Sequence, residues 1–320
     1  MSASAPPTVA QPRATLNVPA AGGGSGTENL TGVRAAGTYR TTTAQMIQEI
    51  WGARELVVQF IRRDITVRYT QAVMGFAWAL LMPMLVVGAG LVFRLVVSNL
   101  SGTKDETSSV ASLMIKALPW TFFSAALSTA TQSILAHANL IGKVYFARES
   151  LPLAAVLGQA FDLLVGLALV AVALPFLHVP LTWALLWAPV LLLLLVTFTV
   201  GCALILSCAN LFYRDVKYLV QVILNFGVFA TPVFFAPEML GAKFAAIMLR
   251  LPLSPFIQGL DVAVIRGHNL MEPLALPTKS GMITVWTPSL LVYATALALG
   301  SLVIGLRVFR RGSAQFAEMA

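Results

Sequence analysis

Residues 187–206 read WAPVLLLLLVTFTVGCALIL, twenty residues without a charge. The hydrocarbon core of a bilayer is about 30 Å thick, and about 20 apolar residues of α-helix cross it. A run like this limits the chain to folds whose solvent is lipid. The rest of the sequence makes the same demand. Of 320 residues, 58% are hydrophobic and 11% charged, and the mean hydropathy is +0.82. A soluble domain has about 25% charged residues, so a water-soluble globule of this chain would lack polar cover. The net charge of +8 would suit nucleic acid, but the basic residues flank apolar runs instead of forming one patch. That distribution reads as membrane topology, with lipids as partners and no nucleic acid. Cys202 and Cys208 share one apolar run, and His137, His178 and His268 are scattered. Neither set has disulfide or metal-ligand spacing.

Six windows are long and apolar enough to span: about 72–97, 111–135, 152–176, 183–209, 218–236 and 284–306. Arg54, Arg62, Arg63 and Arg68 precede the first. Lys143 and Arg148 lie between the second and third, Arg214 and Lys217 between the fourth and fifth, and Arg307, Arg310 and Arg311 follow the sixth. The link HVPLT between the third and fourth has no Lys or Arg. The positive-inside rule then puts both termini in the cytoplasm. Residues 237–283 are too polar at their ends for a further span and read as re-entrant or interfacial helices on the outer side. The expected fold is an all-α integral membrane protein. It has six transmembrane helices, an N-terminal amphipathic interface helix and re-entrant helices before the last span. The chain divides into a disordered leader (1–42), an interface helix (43–70), the transmembrane domain (71–310) and a cytoplasmic tail (311–320). The leader is rich in Ala, Gly, Pro, Ser and Thr and lacks the apolar core of a signal peptide.

Several segments between and within the spans can carry function. In 43–69, Met46, Ile47, Ile50, Trp51, Leu56, Val57 and Phe60 recur at roughly helical spacing, which suits a helix lying in the interface. Simple anchoring and an entry gate are both open readings. The link 136–150, AHANLIGKVYFARES, is short and amphipathic. Leu140, Val144 and Tyr145 are expected to form its apolar side, with Lys143, Arg148 and Glu149 facing solvent or paired with a partner. In NLFYRDVK (210–217), Arg214 and Asp215 are adjacent and do not face one another on a helix, so each is expected to pair elsewhere, with Arg63 or Asp64. Gln132, Gln159, Asp162, Asn210, Gln221 and Asn225 are polar positions in or near spans. An ionisable residue inside a membrane is a functional candidate by default. Asp162 stands nearly alone, so an ion relay is not expected. Trp78, Phe226, Phe229 and Phe234 belong to an aromatic set that can pack, face lipid or line a conduit. No GxxxxGK[ST] phosphate loop, HExxH or GxSxG occurs, so the sequence names neither an ATP site nor a nucleophile.

Four runs resemble the membrane subunits of type-2 ABC exporters, most of all the branch that exports polysaccharides such as O-antigen, capsule or teichoic acid. FIRRDITVRYTQAVMGFAWALLMPML (60–85) carries the basic run, RY, G-x-x-W and Pro of that branch at Arg63, Asp64, Arg68, Tyr69, Gly75, Trp78 and Pro83. LIGKVYFARESLPLAAVLGQAFDLLVG (140–166) and NLFYRDVKYLVQVILNFGVFATPVFF (210–235) follow in the same order. The last is LPLSPFIQGLDVAVIRG (251–267), with Leu251-Pro252 where the family commonly has Asn-Pro. The similarity covers roughly 45–310. It implies two copies of the chain, two ATP-binding subunits that hold the ATP and Mg, and a lipid-linked glycan as substrate. It makes the 136–150 segment, with Leu140, Lys143, Val144, Tyr145, Arg148 and Glu149, the helix that docks on the ATPase. It places Arg62, Arg63, Asp64, Arg68, Tyr69, Arg214 and Asp215 at the cytoplasmic gate.

The function expected is that of a permease without catalytic residues or cofactors of its own, in a bacterial cytoplasmic membrane. It exports a polyprenyl-linked polysaccharide on ATP hydrolysed by its partner. The nearest alternative is a drug or lipid exporter of the same fold. A membrane glycosyltransferase or ligase acting on polyprenyl-linked sugars is a further alternative, but it would need a catalytic constellation that residues 237–283 do not offer.

Overall fold

The structure, a computed structural model, describes residues 52–70, scattered positions within 77–96, and residues 108–137, 147–180, 182–278 and 281–313. The leader and most of the first apolar window lie outside the described residues. The window is helical where it is described, as at 87–92.

Helix α1 (Arg54–Thr70) precedes two long apolar helices, α2 (Ser108–Ala136) and α3 (Ser150–Phe176). A 3-10 turn (Trp183–Leu186) leads into α4 (Trp187–Phe212), which a tight link joins to the shorter α5 (Val216–Ala230). Two short helices follow, α6 (Gly241–Leu249) and α7 (Ser254–Leu260). The latter continues through a π-helical turn, Asp261–Ile265. Strands β1 (Leu274–Thr278) and β2 (Gly281–Trp286) form an antiparallel hairpin, and α8 (Pro288–Ser313) ends the described chain. Four of these segments, Val110–Ala136, Ser150–Phe176, Trp183–Phe212 and Pro288–Gly312, are long and apolar enough to cross a membrane. The pair α6–α7 is bent by 106°, as a broken span or a re-entrant loop would be.

The chain is therefore a multi-span helical protein with a re-entrant-like segment before its last helix, as the apolar pattern requires. Two details differ from the expectation. The region before α8 is not all helical. Leu274 and Leu276 are half-buried and Ile283 and Val285 buried, whereas Met282 and Thr284 are exposed. That period of two belongs to a strand, and two such short runs within a region read as helical are easily missed. The last span accordingly begins at Pro288, not at 284. The fifth helix stops at Ala230 because Thr231 precedes Pro232, and a residue before proline is driven out of the α region.

Between helices in lipid the hydrophobic effect offers little net drive, so close van der Waals fit and small residues decide the packing. Helices α4 and α8 meet through Gly201, Ser301 and Gly305. A Cβ added at Gly305 would lie 2.6 Å from the Gly201 carbonyl oxygen, and one at Gly201 would collide with the backbone of Ser301. Ser301 Oγ also donates to the Phe198 carbonyl at 3.3 Å. A ladder of rings seats α7 on the other side of α4: Phe123 on Phe198 at 5.8 Å between centroids, then Phe198 on Phe256 at 5.5 Å. Trp286 of β2 is fully buried, and its Nε1 donates to the Leu270 carbonyl at 2.9 Å. Helix α3 ends on His178, whose φ of +56° makes the left-handed cap, with the Val179 N–H bonded back to the Leu174 carbonyl.

Gly201→Val should force α4 and α8 apart. Overpacking of this kind costs about 1–3 kcal/mol and should lower the melting temperature of the purified protein. Gly300→Ala, one position from Ser301 but with open space at its Cβ, should leave it unchanged or raise it slightly.

Candidate functional site

Val57 and Phe60, one turn apart, are buried against Leu151 and Ala154, which fixes α1 on the start of α3. With that face inward, Arg62 and Arg63 fall on the exposed side, and Arg68 reaches α3 two turns further on. Arg68 Nη1 donates to Asp162 Oδ2 at 2.5 Å and to Gln159 Oε1 at 3.0 Å. Gln159 Nε2 in turn donates to Thr129 Oγ1 of α2 at 3.1 Å. Asp162 therefore meets an opposite charge on α1, which removes the cost of a lone carboxylate in an apolar helix. The Gln159 amide uses both its donor and its acceptor to bind α1 and α2 together.

A second contact joins α1 to the end of α2. Arg63 lies over the Phe60 ring, 5.3 Å from its centroid, and pairs with Asp64 at 3.0 Å. Its guanidinium also donates to Nε2 of His137, whose Nδ1 is 2.8 Å from the Ser133 carbonyl. A guanidinium has only donors, so Nε2 accepts and the proton sits on Nδ1, donating to Ser133. The described part of α2 ends at this histidine. Leu140, Lys143, Val144 and Tyr145, which follow it, lie outside the described residues, as do Trp78 and the side chain of Tyr69. Arg148 and Glu149 stand just before α3, Glu149 at its N-cap position.

The expected network between the two Arg-Asp pairs does not form. Arg214 and Asp215 are exposed in the α4–α5 link and make no ion pair with Arg63 or Asp64. Asp64 is already held by its neighbour. Asn210 shapes the link instead: fully buried, it donates to the Thr131 carbonyl at 3.0 Å and accepts from the Lys217 N–H at 3.2 Å.

The aromatic residues in α5 and just after it separate into two environments. Phe226 and Phe229 are exposed, on a face that also shows Tyr218, Leu219, Val222 and Ile223. Phe234 is buried in the core, 5.4 Å from the Phe229 ring.

The most deeply buried charges escaped the sequence reading. Lys116 lies within α2 and is 0% exposed. Its Nζ is 3.3 Å from Oδ2 of Asp261, itself 1% exposed, in the π-helical turn after α7. Ser112, one turn before Lys116, donates to Asp261 Oδ1 at 2.5 Å. Arg266 Nε reaches Asp261 Oδ2 at 3.3 Å, and its Nη2 pairs with Glu238. Two cations and two anions thus balance. The signal was present as a lysine inside an apolar run, ASLMIKALPW, and the intramembrane-charge rule applied to that run would have found it.

Compared with known proteins, residues 55–265 match the ABC-2 type transporter family. The O-antigen export system permease protein RfbA of Klebsiella pneumoniae is 26% identical over 273 residues, 83% of this chain and 95% of the relative. The protein of the same name from Myxococcus xanthus is 26% identical over 250 residues, 77% of this chain and 94% of its own length. The family match takes in α1, α2, the Arg68–Asp162 contact and the Lys116–Asp261 pair together. This multi-span chain belongs to the ABC-2 type transporter family and is a membrane permease component, not a catalytic enzyme.

Proposed function

We propose that this chain is the permease of an ATP-driven exporter that passes a polyprenyl-linked polysaccharide of the O-antigen kind across the bacterial cytoplasmic membrane. The observation that carries the reading is the end-to-end similarity to two O-antigen export permeases, over 95% and 94% of their lengths. It is supported by the four sequence runs that occur in the same order as in that branch. Two copies of the chain would associate with two ATPase subunits, which bind ATP and Mg. The first apolar window, α2, α3, α4, α5 and α8 would make six spans with both termini cytoplasmic, the arrangement that the basic loops favour.

In this scheme the segment after His137, with Leu140, Lys143, Val144, Tyr145, Arg148 and Glu149, docks on the ATPase. Helix α1 lies in the cytoplasmic interface, and Arg62, Arg63, Asp64, Arg68 and Tyr69 frame the entrance for the lipid-linked end of the glycan. Arg214 and Asp215 sit at the same membrane face. Trp78, Phe226, Phe229 and Phe234 supply ring faces to the conduit, onto which the apolar face of a sugar can stack. The exposure of Phe226 and Phe229, with Phe234 packed beside Phe229, supports that role.

The test is to co-express the chain with an ATPase encoded beside it, purify the complex in lipid nanodiscs, and measure ATP hydrolysis with and without lipid-linked glycans. A two-plus-two complex stimulated by one glycan is the expected result. Stimulation by a drug or phospholipid and by no glycan would move the assignment to another exporter of the same fold. Absence of any ATPase partner would overturn the exporter reading. Within the complex, Lys143→Glu with Arg148→Glu should weaken ATPase binding about tenfold or more, because charged contacts at such a surface contribute about 1–3 kcal/mol. Asp162→Asn should leave Arg68 bound through Gln159 but lose its charge partner. Export should fall while ATPase binding is retained, as read by glycan delivery against co-purified partner.

A further inference from the structure

The Lys116–Asp261 pair has a role beyond balancing charge. Helix α2 makes polar contacts with other elements near both ends. At one end His137 accepts from Arg63 of α1. At the other, Ser112 and Lys116 bind Asp261. The 21 residue steps from Lys116 to His137 span roughly 32 Å of helix. Along much of that length the contacts are apolar, with Leu118, Phe122, Ala126, Leu127 and Ala130 buried.

Asp261 is the first residue of a π-helical turn, in which the Arg266 N–H bonds back to the Asp261 carbonyl at 3.2 Å. Such turns cost regular helix geometry and recur at functional sites. This one presents the carboxylate to α2 while Arg266 and Glu238 hold it from the other side. One turn before Asp261, Gln258 is 0% exposed, and neither its amide nitrogen nor its oxygen has a hydrogen-bond partner among the described residues. The Ser254 hydroxyl, a further turn back on the same face, is in the same state. Burying such groups unpaired costs free energy, so α7 stays against its neighbours only because other contacts hold it there. The ring ladder and the Asp261 contacts to α2 are among those contacts, beside the apolar packing of Ile257 and Leu260.

We infer that Lys116 is a positioning residue for export: through Asp261 it sets the place of the re-entrant helix α7 against α2. Movement of α2 at the end that meets α1 is then carried to α7 through this ion pair. The link to export rests on the permease reading above, but the tie between the two helices does not.

The tie is tested in the full-length chain, in cell membranes, with Cys202 and Cys208 changed to Ala and one cysteine introduced, Gln258→Cys or, as a control in the α4 core, Leu195→Cys. A membrane-impermeant maleimide is applied to intact cells and to inverted vesicles. Lys116→Met should raise labelling at Gln258→Cys about ten- to a hundredfold, the loss expected from one charge-assisted contact, with Leu195→Cys still unreactive. Lys116→Met leaves one buried negative charge in excess. Lys116→Met with Asp261→Asn restores the balance, because Arg266 and Glu238 still offset one another. It should therefore recover normal abundance yet remain labelled, and it should export less glycan per ATP hydrolysed. If the single variant fails to accumulate, the balanced one carries the comparison. Labelling of Gln258→Cys as slow as in the Lys116 parent, or an equal rise at Leu195→Cys, would overturn the proposal. Labelling only in inverted vesicles would keep the tie and reverse the topology. Normal labelling changes without any export activity in the parent would fault the permease reading alone.

Discussion

An unpaired charge in an apolar interior is among the most costly features a fold can contain, and this chain places a lysine and an aspartate there together. Lys116 and Asp261 are far apart in sequence and nearly invisible to solvent. Removing either one leaves the cluster with Arg266 and Glu238 a buried charge out of balance, which is costly. Their pairing fixes where the short helices before α8 sit on α2. It also explains why Ser112, Arg266 and Glu238 gather at that point: Ser112 and Arg266 donate to the Asp261 carboxylate, and Glu238 pairs with Arg266. Much else follows from that seat. Phe256 reaches Phe198 on α4, Gly259 leaves room for Leu191 and Trp286, and the hairpin closes over the short helices.

Helix α2 is the common element of both polar sites. It meets α3 through Gln159 and Thr129, α4 through Asn210, α1 through His137 just past its end, and the turn after α7 through Lys116. The contacts are of two kinds. Apolar and aromatic contacts along the helix are strong in sum but indifferent to small shifts in register. The hydrogen-bonded ones at its ends are few and directional. A transport protein needs elements that stay packed while changing their relation to neighbours, and directional contacts at the ends of a well-packed helix suit that need.

The spans were legible in the sequence because hydropathy is a local property. The WAPVLLLLLVTFTVGCALIL run lies in α4, and the windows for α2 and α3 match within three residues, that for α8 within seven. The amphipathic face of α1 was legible too, since Val57 and Phe60 are one turn apart. Less legible was the hairpin at 274–286, where a period of two runs for only a few residues, whereas Pro232 marks the end of the fifth helix in the sequence itself. The Arg214–Asp215 pair looked like the partner of Arg63–Asp64 because their short motifs are alike. Likeness of motif does not imply proximity, and Asn210 took the structural role there.

The sequence alone determined that the chain lives in lipid, where its helices lie, and, through the order of its four runs, which family it belongs to. These depend on composition and local pattern, which one chain of residues states completely. Only the tertiary structure decided which charges meet. Arg68 chose Asp162, Arg63 chose His137 in addition to its neighbour, and Lys116 chose Asp261 across 145 positions. The physical reason is that Coulomb and hydrogen-bond energies depend on separation in space, and in a low-dielectric interior that dependence is steep. No spacing along the chain encodes that separation; it is set by how the helices pack.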